Sequence, residues 1–474
     1  MDSIFDRRIA RIAAALLSGV LLYFTLSLTP CWPLAWIAPV PLLLASFHSS
    51  RGETRFLCAI AALIGLTSNF GYYKMVSGWV GTVVLVLLQV LAWGFLINYT
   101  RVIVRRSNHW LTVFAYPLVW AGLDTLISAF SPHSTFGSLA YTQMNALPVI
   151  QIASLTGTPG VVFVITLFAS ILALALYRTN QRARPVLAYG VPLLILMAVV
   201  AFGAVRLTRS HPATAKMAIG LVAIDDFLGP EVPREKADAI WKAYDEAVAH
   251  LAAQGARIVV LPEKIDVKEL AAAQRREALA DLARRNAIYL VVGIGLPTDA
   301  GWKNRAWLFG PNGDLLAEYD KQHLVPGLEK DMAQGHEDVA REIDGHRFGI
   351  AICKDMHFAS LGRSYGKEKV AVVLEPAWDF YRDAWMSARI AALRGVENGY
   401  AVVHSARESL LSASDRYGRF VAETRSGPLP GVSVIAQVPI GSGAPTPYAR
   451  FGDWFGWICV GLAVIARFSH RNYS

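Results

Sequence analysis

Residues 347–358 read RFGIAICKDMHF. A short apolar run bounded by charges is the pattern of a strand buried on both faces, as in layered α/β sheets. The run ends on Cys353, and strand ends are where α/β folds present side chains to a crevice. The neighbouring sequence continues the pattern. KMAIGLVAI (216–224), ARIVVLPE (256–263), IYLVVGIGL (288–296), KVAVVLEPAW (369–378), GYAVVHSA (399–406) and GVSVIAQVPI (431–440) read as further strands. Between them, 235–253 is an amphipathic helix with Ile240, Tyr244, Val248 and Leu251 on one face, and 268–285 and 383–396 are two more helices. AWLFGPNGDLLAEYDK (306–321) predicts a hairpin about Asn312-Gly313. Residues 216–439 therefore predict sheets covered by helices, layer on layer.

The rest of the chain has a different solvent. Of 474 residues, 54% are hydrophobic and only 17% charged, which is outside the range of an ordinary soluble domain. Apolar segments long enough to cross about 30 Å of hydrocarbon fall near 9–28, 32–48, 55–73, 78–104, 110–130, 159–177, 186–207 and 449–467. That predicts seven spans before the polar insert and one after it. The second carries Pro33, Pro39 and Pro41 and is expected to be broken or re-entrant. The first reads as an uncleaved anchor, since Pro30 precedes Cys31 and further spans follow.

Arg7, Arg8, Arg11, Arg51, Arg55, Arg101, Arg105, Arg106, Arg178, Arg182 and Arg184 cluster on alternate loops, while 29–31, 74–77 and 131–158 hold only Lys74. By the positive-inside rule the insert lies outside and both termini lie inside, with Arg467 and Arg471 in the tail. The net charge of +9 is explained by this topology, without nucleic acid as a partner. The expected domains are a membrane domain 1–212, a catalytic domain 213–446, and a last span with a short tail, 447–474.

Three arms end on groups that do chemistry: Glu263, Lys321 and Cys353. A carboxylate, an ammonium and a thiol supply a general base, an electrostatic clamp and a nucleophile, the parts that acyl transfer requires. Of the four cysteines, Cys31, Cys58 and Cys459 lie in or beside apolar runs, which leaves Cys353 as the thiol of the polar part. His357 and His404 offer a rival cysteine–histidine pair, and each also reads as a structural or surface histidine. His323 stands beside Lys321. No metal-ligand spacing, phosphate loop or dinucleotide site is found, so neither metal nor cofactor is expected.

The ordered set Glu263, Lys321, Cys353, with Glu329 between the last two, resembles the nitrilase superfamily of carbon–nitrogen hydrolases. The resemblance implies an αββα sandwich for the insert, beside a polytopic α-helical membrane domain. An insert of this kind among seven spans and one resembles the apolipoprotein N-acyltransferase family of the bacterial inner membrane. STFGSLAYTQMNALPVIQIASLTGTPG (134–160) and DAWMSARIAALRGVENGYAVVHSA (383–406) are similar to its segments.

That resemblance implies a phospholipid acyl donor, a Cys353 thioester and a diacylglyceryl lipoprotein N-terminus as acceptor, in a lipid bilayer; the sequence leaves the oligomeric state open, with a monomer favoured. The alternatives are a membrane-tethered amidase or an acyltransferase for another amine, and, in another class, a non-catalytic transporter or scaffold. Few ionisable residues beyond Asp124 in the spans count against an ion pathway. Lys354 and Asp355 stand where the family carries tyrosine and glutamate, and the arm 330–345 is short and polar. Lys354 reads either as a headgroup or acceptor contact or as a solvated lysine. Asp355 is a supporting residue, the arm is a candidate lid, and Trp378 and Phe380 are candidate walls of an acyl pocket.

Overall fold

The computed structural model describes residues 5, 7–178, 186–208, 215–226, 228, 232–266, 272–298, 301–441 and 443–468. Arg182, Arg184, Arg471 and the tail end Ser474 lie outside them. The chain divides into two compact units, one of Met1–Ser131, Gly137–Arg209 and Gly452–Ser474, the other of Pro132–Phe136 and Ser210–Phe451.

The first unit is helical. Among the described residues five helical runs, not the expected eight, are long and apolar enough to cross a membrane: Arg8–Thr25, Arg51–Arg106, Trp110–Phe130, Thr158–Tyr177 and Leu187–Thr208. The difference has local causes. The expected third and fourth spans are joined in Arg51–Arg106, broken at Gly78, where φ is 65°. Glycine occupies that left-handed region without a Cβ clash.

The proline-bearing second segment is a 3-10 turn, Trp32–Trp36, followed by the short helix Val40–Phe47. Arg101 satisfies the carbonyls left at the end of that helix, donating from Nε to Ser49 O at 2.8 Å and Ser46 O at 3.1 Å. The last apolar helix begins only at Trp454, because Pro447–Phe451 is a separate helix assigned to the other unit and Gly452 turns the chain with φ 65°. Side chains such as Val80, Leu91, Phe130, Leu194 and Ile465 are exposed, an apolar exterior that suits lipid.

The second unit is the α/β sandwich. Its strands are β1 (Lys216–Ala223), β2 (Ile258–Val260), β3 (Tyr289–Thr298), β4 (Gly301–Phe309), β5 (Leu315–Asp320), β6 (Ala340–Ile343), β7 (His346–Ile350), β8 (Val372–Trp378), β9 (Ala401–Arg407), β10 (Leu410–Ser414), β11 (Phe420–Arg425) and β12 (Val432–Pro439). They form two six-stranded sheets, in the orders β12-β1-β2-β3-β4-β5 and β11-β10-β9-β8-β7-β6. The period of two sorts their side chains. Ile219, Leu221 and Ala223 of β1 meet Phe348, Ile350, Leu374 and Val403 in the core between the sheets.

Val222 and Ile224 face the other way, onto Ile240, Tyr244, Val248 and Leu251 of the helix Arg234–Ala253, with Leu279 and Ala283 of Ala272–Asn286 beside them. On the second sheet Val373 and Val402 pack under the helices Ala359–Lys367 and Ala384–Asn398. The result is helix, sheet, sheet, helix.

Two expectations need correction. The strand predicted over RFGIAIC ends at Ile350, so Cys353 is not its last residue. The arm 330–345 is not a lid along its whole length: 340–343 form β6 at the sheet edge, joined to β7 by Asp344 and Gly345, whose φ values are 49° and 77°. Two successive positive φ angles make the tight hairpin turn that matches strand twist.

Candidate active site

Cys353 stands at an elbow. It takes φ 47°, a left-handed value uncommon for a residue with a Cβ, and opens the single 3-10 turn Cys353–His357. Asp355 holds the elbow closed. Its Oδ2 accepts from Ile352 N–H at 3.1 Å and Tyr319 O–H at 2.7 Å, and its Oδ1 meets His323 N–H at 2.8 Å and His323 Nδ1 at 2.9 Å. The carboxylate is buried and committed to this brace. His323 in turn stacks on Phe358, with ring centroids 3.6 Å apart.

Glu263, Lys321 and Glu329 form a closed buried ring with two residues that the sequence reading missed. Lys321 Nζ is 2.9 Å from Glu263 Oε1 and 3.0 Å from Glu329 Oε2. Asn304, on β4, donates from its amide to Oε1 of both glutamates. Lys264 Nζ lies 2.8 Å from Glu329 Oε1 and 3.7 Å from Glu263 Oε1. Glu329 Oε2 also accepts from Val325 N–H at 2.8 Å. Two ammonium groups thus face two carboxylates where water is excluded, so the charges balance.

Trp378 connects the ring to the thiol through its backbone. Its N–H donates to Glu263 Oε2 at 2.9 Å, and its carbonyl is 3.5 Å from Cys353 Sγ. The indole lies between cations, with Arg407 Cζ at 3.5 Å and Lys264 Nζ at 5.1 Å from the ring centroid. The expected pocket wall is therefore also a cation-holding face.

These surroundings set the charges. Burial pushes the Cys353 thiol well above its ordinary pKa, Glu263 adds to the shift, and Lys321 opposes it, so the resting residue is a neutral thiol. Burial disfavours the Lys321 ammonium, but the Glu263 and Glu329 carboxylates outweigh that and hold it charged. Burial also disfavours the Glu329 carboxylate, yet Lys321 and Lys264 bring its pKa down to about 2. Lys354 is not a solvated lysine. It is buried, donates from Nζ to Leu324 O at 2.9 Å, and has its pKa lowered to about 8, first by burial and then by Lys321.

Neither rival histidine is placed on the thiol by a hydrogen bond among the described residues. The His357 carbonyl accepts from Thr135 Oγ1 at 2.7 Å, its ring stacks on Phe136, and burial followed by Lys354 lowers its pKa to about 3. His404 binds carboxylates: Nε2 is 3.1 Å from Asp379 Oδ2 and Nδ1 is 3.0 Å from Glu375 Oε2. Asp379, also missed, sends its other oxygen to within 3.8 Å of Cys353 Sγ. A signal existed for Asn304, a polar residue that alternates with Trp302 and Ala306 on one face of its strand. Lys264 and Asp379 adjoin Glu263 and Trp378 in the chain and could have been found by adjacency alone.

Comparison with known proteins agrees with this architecture. Residues 18–171 match the apolipoprotein N-acyltransferase N-terminal domain, and residues 228–408 match the carbon–nitrogen hydrolases. The apolipoprotein N-acyltransferase of Geobacter metallireducens is 28% identical, aligned over 97% of this chain and 95% of its own length. That of Thermotoga maritima is 24% identical over 98% and 95%. A human omega-amidase is 32% identical over 27% of this chain and 54% of its own length. Among solved structures, an amidase from Nesterenkonia sp. superposes with a TM-score of 0.43 at 18% identity, covering 51% of this chain and 97% of the amidase.

The layered unit and the matched model define an enzyme of the nitrilase superfamily. Nitrilase-type domains alone do not account for the helical unit, which matches the acyltransferase N-terminal domain. Along nearly its whole length the chain is similar to proteins named apolipoprotein N-acyltransferase.

Proposed function

We propose that the chain transfers a fatty acyl group from a phospholipid to the N-terminal amine of a diacylglyceryl lipoprotein, through a thioester on Cys353. The observation that carries this reading is the half-buried Cys353 thiol at a strained elbow, joined through Trp378 to the Glu263–Lys321–Glu329 ring. Glu263 takes the thiol proton, and sulfur attacks the ester carbonyl. Lys321 and the backbone N–H of Lys354 stabilise the oxyanion, a contribution of about 2.7–4 kcal/mol per donor. The ester C–O bond breaks, and the lysophospholipid alkoxide leaves with the proton held by Glu263.

The neutral α-amine of the lipoprotein then attacks the thioester. The C–N bond forms, the C–S bond breaks, and the amine's proton returns through Glu263 to the sulfur. Glu329 keeps Lys321 charged and aimed. Excluded water protects the thioester. The site works at the outer face of a bacterial inner membrane, with both termini inside.

The test is mass spectrometry of the purified chain after incubation with phospholipid and then with a diacylated lipopeptide. An acyl adduct on Cys353 that disappears as the lipopeptide gains one acyl chain is expected. No adduct in the native chain refutes the reading. An adduct that persists with lipopeptide but yields to other amines or water favours the amidase or the different acceptor. A C-terminal tag protected from external protease in intact cells is the expected topology.

A further inference from the structure

Both oxygens of Glu263 are engaged, Oε1 by Lys321 and Asn304 and Oε2 by Trp378 N–H. The side-chain acceptor that faces the resting thiol is a different carboxylate. Asp379 Oδ1 is 3.8 Å from Cys353 Sγ, beside the Trp378 carbonyl at 3.5 Å. Its other oxygen, Oδ2, is held by Ser409 Oγ at 2.6 Å and His404 Nε2 at 3.1 Å, so the carboxylate cannot turn away.

Behind it, His404 Nδ1 meets Glu375 Oε2 at 3.0 Å. An imidazole with a carboxylate on each nitrogen satisfies both only as a two-donor imidazolium. Glu375 and Asp379 belong to β8 and the turn after it, His404 to β9 and Ser409 to the turn before β10. Four residues from three adjacent strands and their turns thus converge behind one sulfur.

We propose that Asp379 is a second carboxylate serving Cys353: fixed by Ser409 and the His404–Glu375 pair, it accepts the S–H and keeps the resting nucleophile protonated and aimed. This deepens the proposed acyl transfer and rests on Cys353 being its nucleophile. The division of labour follows from placement. Glu263 moves the proton during turnover, while Asp379 sets how readily sulfur gives it up. A neutral thiol resists oxidation and alkylation, because the thiolate is the reactive form. Asp379 therefore guards a nucleophile that has to wait for two bulky substrates.

The charged groups around this cluster are few. Glu263, Lys321, Asp379 and Glu375 act on Cys353, with Lys354 next in the chain. His404 and His357 act on Asp379, with the Ser409 hydroxyl bonded to it, and His404, Asp379 and Asp355 act on Glu375. Tyr400, near Glu375, stays neutral, its own pKa raised by burial. Burial alone would strip the His404 charge, but Glu375 and Asp379 outweigh it and push its pKa up to about 10. His404 in turn, against the effect of burial, keeps the Asp379 carboxylate ionised at a lowered pKa.

The test reads thiol acidity directly. Full-length protein in detergent is alkylated with iodoacetamide from about pH 7 to about pH 11, the Cys353 peptide is quantified by mass spectrometry beside those of the other cysteines, and a midpoint above that range is read from the rising limb of rate against pH. Asp379→Asn removes a negative charge from beside the sulfur and is expected to lower the midpoint by about one unit or more. His404→Gln removes the answering cation and is expected to raise it. Ser409→Ala, the mildest change, is expected to raise it by a few tenths of a unit.

A midpoint in Asp379→Asn that stays or rises overturns the proposal, as does a fall in His404→Gln. Should either fail to fold by circular dichroism, Ser409→Ala decides, and an unmoved midpoint there overturns it. Alkylation reports acidity and not turnover, so failure of the acyl-transfer reading shows separately, as an absent acyl adduct with these shifts intact.

Discussion

Replacing Glu329 with glutamine tests the charge balance on which the site depends. The carboxylate lies 2.8 Å from Lys264 Nζ and 3.0 Å from Lys321 Nζ, and its side chain is only 2% exposed. At an effective dielectric near 20 each contact carries roughly 5–6 kcal/mol of Coulomb attraction, much of it offset by the cost of drying the ions. Glu329→Gln keeps the shape but leaves two buried ammonium groups facing Glu263 alone. Breaking such a pair costs about 3–5 kcal/mol, or roughly 6–20 °C in melting temperature for a unit of this size.

The acid limb gives an independent check. The folded pKa of about 2 lies below the ordinary 4.5. The contribution is therefore complete above about pH 4.5 and is lost as pH falls through 2, a span worth about 3 kcal/mol. Glu329→Gln should lack that limb. Lys264→Met alone leaves excess negative charge and should also destabilise, whereas the double variant restores neutrality and should recover at least half the loss. The assay is thermal unfolding of the full chain in detergent, followed by near-UV dichroism at one fixed scan rate, because unfolding of such a protein is irreversible. A Glu329→Gln protein melting within about 2 °C of wild type, or a double variant whose effects simply add, refutes the reasoning.

Three further outcomes follow from the same geometry. A Cβ on Gly293 would lie 2.5 Å from Glu263 Cα and Pro262 O, backbone atoms that cannot swing aside. Gly293→Ala should therefore displace the base and lower the rate of Cys353 acylation about 100-fold while leaving the circular dichroism spectrum unchanged. Asn304→Leu withdraws a donor from each of two buried carboxylates, at about 1–3 kcal/mol apiece. Asn304→Asp adds a third carboxylate and should also raise the alkylation midpoint of Cys353, which the leucine should do less. The His404 pKa of about 10 lies above the ordinary 6.5, so its stabilising contribution is complete below about pH 6.5 and lost as pH rises through 10. His404→Gln should flatten the alkaline decline of the melting temperature across that window.

The layered unit was legible because its strands are short, apolar and bounded by turn residues, and because the helix Arg234–Ala253 repeats its apolar face at Ile240, Tyr244, Val248 and Leu251. What escaped was set by single residues. The strand over RFGIAIC stops at Ile350 because Cys353 takes a positive φ, which an apolar pattern cannot encode. β6 was hidden in a polar arm because an edge strand at this position needs few buried side chains: of its four residues only Ile343 is buried. The membrane segments were found by hydropathy, but hydropathy is blind to Gly78 and Gly452, whose backbone angles decide where runs break.

In the site, residue types that end strands were readable, and those that answer them across the fold were not. Lys354 and Asp355 looked like an altered substrate contact because each was weighed against its chain neighbours. Folded, Asp355 is taken up by Tyr319, His323 and Ile352, and Lys354 by the Leu324 carbonyl. Lys354 adds positive charge near the thiol, while Asp379 and the His404–Glu375 pair add a carboxylate and a neutral couple beside it. Buried charge of one sign is costly unless answered, and a cation and an anion beside one sulfur act on its proton in opposite directions. Substituting either Lys354 or Asp379 alone should therefore shift the acidity of Cys353, Lys354→Met upward and Asp379→Asn downward.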